Sequence, residues 1–372
     1  MFEMLAREAA SRGWSLTVHF MADSEPHRAH WNRSLDGANF AYRIWADYPI
    51  ILRGKVYHFN PSLILHAWRS PSDALLVGGP WDSLTGIGIS FSARAPIKVG
   101  WTELNLHSPG RRGPAVSALK RLLLSRYTHF AVPGSEGKAV LAAIAGRAQR
   151  PVVTLPNIVD ERRFSRSQPF PRAQRDLVRK RYGLDAEARL AVWPARLIPA
   201  KNVLEIVRCL EPSRLLGSQI AIFGVGPDKA QIKAQIAERG LADHVRLLGL
   251  ANYEEMPDIY GAADLFLLPS LHDPNPLSVI EAMFAGLPIL VSKQVGNFPE
   301  ALIEGANGWG VDAANVPDVM SKLTLAITTS AERLKSMGQA STLIARKLWD
   351  SEKCAHDFFD ALDRNSQESS PA

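Results

Sequence analysis

The sequence predicts an α/β protein of two doubly wound domains, each a parallel sheet with helices on both faces. Three observations carry this. Short apolar runs rich in β-branched residues alternate with helical patterns along most of the 372 residues. The runs form two sets. Between the sets lies DERRFSRSQPFPRAQRDLVRKRYGLDAEAR, which is polar, basic and marked by prolines.

Bulk composition narrows the class. Apolar residues make up 46% and charged residues 22%, as in soluble globular proteins. Cys209 and Cys354 stand far apart, so neither a disulfide framework nor a cysteine metal site is expected. A reducing, cytoplasmic compartment is the natural reading. No apolar run approaches the roughly 20 residues of a membrane span. The opening MFEMLAREAASRGW carries acids and lacks the apolar stretch of a signal peptide. The net charge of +6 favours anionic partners. No nucleic-acid partner is expected.

In chain order, the first element is a helix, FEMLAREAASRG, with Phe2, Leu5, Ala9 and Met4 on its apolar face. A doubly wound domain should open with a strand, so the first strand is expected to be missing here. Strand candidates follow at 14–20, 74–79, 96–101, 129–134 and 151–157. GRRGPAVSALKRLLLSRY joins Arg111, Arg112, Lys120, Arg121 and Arg126 to Leu119, Leu122, Leu123 and Leu124. Such a helix fits an anionic membrane surface through residues 111–126, and equally an ordinary surface with a solvated basic face. The basic gap ends in a helix that Gly183 can cap. The second set of strands is 190–195, 219–224, 244–249, 264–270 and 288–292. Residues 331 to 363 read as two helices, and the tail RNSQESSPA as disordered. The expected domains are 1–165 and 166–345, with 346–372 as a terminal helix and tail.

Ligands of open α/β sheets bind at the carboxyl ends of strands, so the residues there are the candidates. After LAVWPA comes RLIPAKN, whose Arg196 and Lys201 can hold a diphosphate, one by a fork and one as a point charge. After QIAIFG, Gly224 and Gly226 flank a tight turn where a ligand can approach backbone. After DLFLLPS, the loop LHDPNP leads into the apolar helix LSVIEAMF. Asn275 suits its N-cap and Pro276 its first position. The amides of Leu277 and Ser278 then face outward, where an anion binds well. Asp273 precedes the helix and Glu281 lies inside it, among Val279, Ile280, Met283 and Phe284. A buried carboxylate needs partners. Sugar hydroxyls would serve, as would a protein Arg or Lys, and Asp273 alone could be a turn residue. Gly296 permits a further turn, Glu300 begins or caps a helix, and Asn307-Gly308 reads as a tight turn.

Taken together these stretches resemble the retaining GT-B glycosyltransferases of glycosyltransferase family 4. ARLIPAKN is similar to that family's cation loop, IFGVGPDKAQI to its Gly-x-Gly-Pro turn, and DLFLLPSLHDPNPLSVIEAMFAGLPILVS to its Glu-x7-Glu region. VGNFPE, NGWGV and LPNIVDERRF match its remaining motifs in order. MADSEPHRAHW, GWTELN and LKRLLLSRYTHFAVPGSEGKAVL resemble a bacterial subgroup. The sequence departs from the pattern with Asp273 for Glu, Ala195 and Asn297 for Gly, and no opening strand with its Gly-rich loop.

The resemblance implies a GT-B fold, two Rossmann-like domains facing a cleft. It also implies transfer of a sugar, without a metal, from a nucleotide sugar to a glycan, lipid-linked or small-molecule acceptor. Such enzymes build surface polysaccharide, lipopolysaccharide or glycolipid, some on the inner face of the plasma membrane. Arg196 and Lys201 would bind the diphosphate, and Asp273 the sugar hydroxyls. The amides of Leu277 and Ser278 would hold phosphate, and Glu281 the ribose. The base would lie near Gly224, Gly249 and Leu250, with Gly226, Asn275 and Pro276 shaping the donor loops. Glu103, in GWTELN, would face the acceptor. Two rivals share these residues: a nucleotide-sugar epimerase using Glu103, His107 or His66, and a non-catalytic nucleotide-sugar-binding subunit.

Overall fold

The computed structural model describes residues 1–23, 38–52, 55–107, 113–145, 150–165 and 170–368. The chain divides into two units, Met1–Pro156 with Ser351–Ala372, and Asn157–Asp350. The sequence set its boundaries at 165/166 and 345/346. The backbone divides earlier, between Pro156 and Asn157, and the second crossing falls between the two terminal helices.

The first unit begins with α1 (Phe2–Ser11), β1 (Thr17–Phe20), β2 (Ala41–Ile44) and the hairpin strands β3 (Ile50–Leu52) and β4 (Lys55–Tyr57). It continues with α2 (Pro61–Arg69), β5 (Ala74–Gly78), α3 (Leu84–Ser92), β6 (Ile97–Trp101), α4 (Pro114–Leu124), β7 (His129–Val132), α5 (Ser135–Ala145) and β8 (Val152–Thr154). Strands β5-β6-β7-β8 form a parallel sheet in that order, β1 pairs with β2 in parallel, and β3 with β4 antiparallel. The sequence reading found no strand between residues 40 and 57. All four residues of β2 are exposed, so no apolar alternation marks it.

The second unit holds α6 (Glu161–Phe164), α7 (Arg172–Arg181), β9 (Leu190–Pro194), α8 (Val203–Cys209), α9 (Pro212–Leu215) and β10 (Gln219–Phe223). It goes on with α10 (Lys229–Glu238), β11 (Val245–Gly249), α11 (Met256–Ala262), β12 (Leu265–Leu268), α12 (Leu277–Phe284) and β13 (Ile289–Ser292). It closes with α13 (Phe298–Ala301), β14 (Gly308–Val311), α14 (Val316–Thr328) and α15 (Ala331–Trp349). Its sheet is parallel throughout, in the order β11-β10-β9-β12-β13-β14. Numbered within the unit this is 3-2-1-4-5-6, the doubly wound order, whose switch point lies between β9 and β12. The strands are apolar runs because both faces are covered, and every residue of β12, β13 and β14 is buried. Gly183, at φ +62°, follows α7 as the sequence predicted. Asn307-Gly308 is no simple turn. Gly308 opens β14, and a Cβ there would lie 1.9 Å from Ile289 O.

Residues 364–368 of the expected disordered tail are helical, and 369–372 lie outside the described residues. α16 (Ser351–Glu368) returns to the first unit, where Phe358, Phe359 and Leu362 share a core with Leu5, Ala9, Val99 and Ala131. Arg12 ties the helices further, meeting Glu8 at 2.6 Å, Asp360 at 2.6 Å and Asp363 at 2.8 Å. The apolar side chains of α16 and these acids overcome a polar composition.

Candidate functional site

The carboxyl ends of β9 and β12 meet at the switch point, and most of the candidate donor residues lie there or on the adjoining loops of β10, β11 and β13. After β9 the chain makes a short 3-10 turn, Pro199–Lys201, and Asn202 then takes a left-handed conformation at φ 62°. Asn tolerates this better than most residues. Its side chain fixes the turn by donating to Ala313 O at 2.8 Å. Lys201 is thereby aimed at the loop after β12, where its ammonium forms an ion pair with Asp273. The two side chains are only 12% and 15% exposed. Arg196, in contrast, is exposed, and its guanidinium has no ion-pair partner among the described residues.

The sequence expects Gly224 and Gly226 to let a ligand approach backbone, and the structure shows that they also admit a neighbouring loop. A Cβ on Gly224 would sit 1.8 Å from Ala195 O, and one on Gly226 2.2 Å from Leu197 O. Both glycines therefore let the β10 loop lie directly against the cation loop. Backbone hydrogen bonds fasten the contact, from Leu197 N to Val225 O at 2.9 Å and from Asp228 N to Leu197 O at 3.1 Å. Gly224 N also donates to Gly249 O at 2.7 Å, which brings in the end of β11. Gly249 is at φ +77° with open space around its Cβ position, and Leu250 beside it is 52% exposed.

The helix start is shifted by one residue. Leu277 is the first helical residue of α12, and Pro276, not Asn275, occupies the cap position, with no side-chain cap. Proline has no N–H, so its place outside the first turn costs no hydrogen bond. The first amides of α12 still have no intrahelical acceptor. Asn297, which stands for a glycine of the resemblance, donates its amide to Pro276 O at 3.0 Å and so pins the loop. Gly296 N bonds to Asp273 O at 2.9 Å. Three polar atoms of these loops, Ser270 Oγ, Asn275 Nδ2 and Asn297 Oδ1, are buried without a partner among the described residues. Each such atom costs about 1–3 kcal/mol unless water or a ligand meets it.

Glu281 is 8% exposed, and the hydroxyl of Tyr260 donates to its Oε2 at 3.0 Å. No Arg or Lys pairs with it among the described residues. Burial pushes its carboxyl up to about 7, opposed by the Tyr260 hydrogen bond and the charge of Arg163. The same burial, with Glu281 nearby, pushes Tyr260 far above its ordinary value and Tyr253 up to about 12. Tyr253 is 48% exposed, with the Arg163 guanidinium 4.7 Å from its ring centre. Arg163, Tyr253 and Tyr260 were not candidates on sequence. The Arg163 of PNIVDERRF had been read as linker, and no local spacing links residues 163, 253 and 281.

Glu103 lies in the other unit, half-buried, just after β6. On α4, Leu123 and Leu124 are buried in the core, which leaves Leu119 and Leu122 exposed at 51% and 47%. Arg126 lies 4.7 Å over the ring of Phe91, itself 46% exposed. Arg111, Arg112 and most of MADSEPHRAHW lie outside the described residues. Among the described residues no helix is long and apolar enough to cross a membrane.

Residues 174–343 match the family model described as glycosyl transferases group 1. The chain is 31% identical over 238 residues to a 2-deoxystreptamine glucosyltransferase of Streptomyces kanamyceticus, covering 59% of each protein. It is 27% identical over 291 residues to a GDP-mannose-dependent alpha-(1-6)-phosphatidylinositol monomannoside mannosyltransferase of Mycolicibacterium smegmatis, covering 76% of this chain and 72% of that one. Among solved structures, sucrose-phosphate synthase from Thermosynechococcus elongatus superposes with a TM-score of 0.74 at 16% identity, over 98% of this chain and 92% of that one. Anabaena HepE in complex with UDP and glucose gives the same TM-score and identity, over 98% and 95%. At that identity the likeness is one of fold, and the fold is that of GT-B glycosyltransferases.

Proposed function

We propose that this chain, whose residues 174–343 match the glycosyl transferases group 1 family model, transfers a sugar, with retention, from a nucleoside-diphosphate sugar to a hydroxyl of a glycan, glycolipid or small-molecule acceptor. One observation carries the reading. Arg196, Lys201, Asp273 and the amino end of α12 are gathered at the switch point of a 3-2-1-4-5-6 sheet. The activities of these relatives, glucosyl and mannosyl transfer, agree with it.

As the bond to the nucleoside diphosphate breaks, negative charge gathers on the leaving phosphate. Arg196, Lys201 and the first amides of α12 are placed to stabilise it, a preorganised electrostatic effect. The leaving phosphate can take the acceptor's proton, so no separate base is required. These groups meet the developing charge themselves. The sequence also has no Asp-x-Asp pair to hold a divalent ion. Asp273 would bind sugar hydroxyls once the donor draws Lys201 away. Glu281 would take the ribose hydroxyls, beside the base near Gly249 and Leu250. Leu119, Arg121 and Leu122 of α4, with Arg126 just beyond it, would rest on anionic lipid when the acceptor is lipid-linked. Co-sedimentation with anionic vesicles at low salt, lost at high salt, tests that part.

A thermal-shift screen tests the donor site, because a ligand of the native state raises the midpoint. UDP, GDP, UDP-glucose and GDP-mannose form the first panel. At least one should raise the midpoint, and Arg196→Ala should abolish the rise. No shift with any, and Arg196→Ala behaving as wild type, would sink the reading. Conversion of donor without acceptor would support the epimerase instead. Binding without turnover would support the non-catalytic subunit.

A further inference from the structure

In the first unit the β3–β4 hairpin brings together two residues that the sequence holds apart. Asp47 enters the hairpin and His58 leaves it. Asp47 Oδ2 lies 2.6 Å from His58 Nδ1. The other carboxylate oxygen accepts the Phe59 N–H at 3.1 Å, and Tyr48 N–H donates to Phe59 O at 3.0 Å. An ionised carboxylate can only accept, so the proton between the pair sits on Nδ1. With Nδ1 as the donor to Asp47, the neutral form of the ring presents Nε2 as a bare acceptor. The side chains are 17% and 14% exposed. Nε2 has no hydrogen bond among the described residues, and it is not one of the polar atoms sealed inside the protein.

The pair stands on a rigid floor. Asn60, fully buried, donates its amide to Met21 O and to Ala46 O, both at 2.7 Å. Its Oδ1 accepts from Thr85 Oγ1 at 2.9 Å, and its N–H donates to the same hydroxyl at 2.8 Å. Met21 follows β1, Ala46 follows β2, and Thr85 is in the first turn of α3, which follows β5. The pair thus sits at the carboxyl ends of parallel strands, where open α/β sheets take their ligands. Tyr48, next to Asp47 in the chain, is 60% exposed.

We propose that His58, oriented by Asp47, is a binding subsite for a hydroxyl of a neutral polyol, a sugar or a cyclitol. Nε2 accepts the hydroxyl's hydrogen bond. The negative charge of Asp47 is committed to Nδ1–H, so the site offers an acceptor without a cation. A phosphate, which needs donors, gains little there. The assignment rests on the glycosyl-transfer reading and gives the acceptor of that reaction a fixed contact. Asp47 is the positioning residue.

The test uses the full chain labelled with 15N-histidine, with UDP and GDP present. Methyl α-glucoside, methyl α-mannoside and myo-inositol are titrated one at a time. The His58 signals should report an unprotonated Nε2, and at least one polyol should move that resonance saturably. Buried His129 serves as the unmoving reference. His58→Gln should weaken calorimetric binding of that polyol at least tenfold, with the midpoint rise by nucleoside diphosphate retained. Asp47→Asn, of the same shape, should move the ring proton to Nε2 and abolish the polyol response, whatever His58→Gln does to folding. A proton on Nε2 in the wild type, or no polyol moving Nε2 more than His129, overturns the proposal. A responding Nε2 with no midpoint rise from any nucleoside diphosphate leaves the subsite standing and removes the transferase reading instead.

Discussion

The two clusters of polar groups at sheet ends are held by opposite means. In the second unit the cation loop is fixed by absence, since Gly224 and Gly226 leave room for the carbonyls of Ala195 and Leu197. In the first unit the His58–Asp47 pair is fixed by presence, since Asn60 and Thr85 fill the floor with hydrogen bonds. The difference teaches how each should fail. A backbone-on-backbone contact has no rotamer to yield, so any added atom forces the loops apart. A side-chain network can lose one bond and keep the rest.

The largest effect should come from Gly224→Ala, whose Cβ has no room beside a carbonyl. We expect a loss of more than about 4 kcal/mol in urea unfolding, together with loss of nucleoside-diphosphate binding. A variant that unfolds like wild type would break the comparison at its strongest point. Arg196→Ala should lower kcat/KM roughly 100- to 1000-fold with an unchanged unfolding midpoint. This exposed side chain holds up nothing, so the effect must be on the ligand.

Glu281→Gln tests the interior of the same site. The folded carboxyl titrates at about 7 and the unfolded one near 4.5. The folded state therefore binds the extra proton between those values. Its stability is full below about pH 4.5 and falls as pH rises towards 7, by about 3 kcal/mol. Glu281→Gln should flatten that part of the stability–pH curve. Hydroxyl donors favour the charged form, so nucleoside-diphosphate binding to the wild type near pH 7 should release protons, seen as a buffer-dependent calorimetric enthalpy. The smallest effect belongs to the first unit. Asn60→Ala should cost about 2 kcal/mol in denaturant unfolding, graded because Thr85 and the carbonyls can find water. A loss equal to that of Gly224→Ala would erase the contrast between the two ways of holding a site.

The sequence was most legible where burial leaves little freedom. Strands β9, β10, β12 and β13 are largely apolar and buried, and the ends of β9–β13 appear within a residue or two of the expected places. That Arg196, Lys201 and Asp273 follow strands β9 and β12 was legible because carboxyl strand ends are few, although nothing local foretold that Lys201 and Asp273 would pair. The α12 start moved by one residue because Pro276 suits either a cap or a first position. The glycines were recognised but their packing against the cation loop was not, since a space that serves backbone and one that serves a ligand look alike in a sequence. The His58–Asp47 pair escaped notice because β2 is exposed throughout and β3 and β4 have three residues each, too short for a period.

The contact between residues 195–197 and 224–226 has a consequence for inheritance. Neither loop can drift alone, because a side chain gained at either glycine would collide with a carbonyl of the other loop. The two segments must therefore pass between lineages as one cassette, and a graft that exchanges donor preference has to carry both.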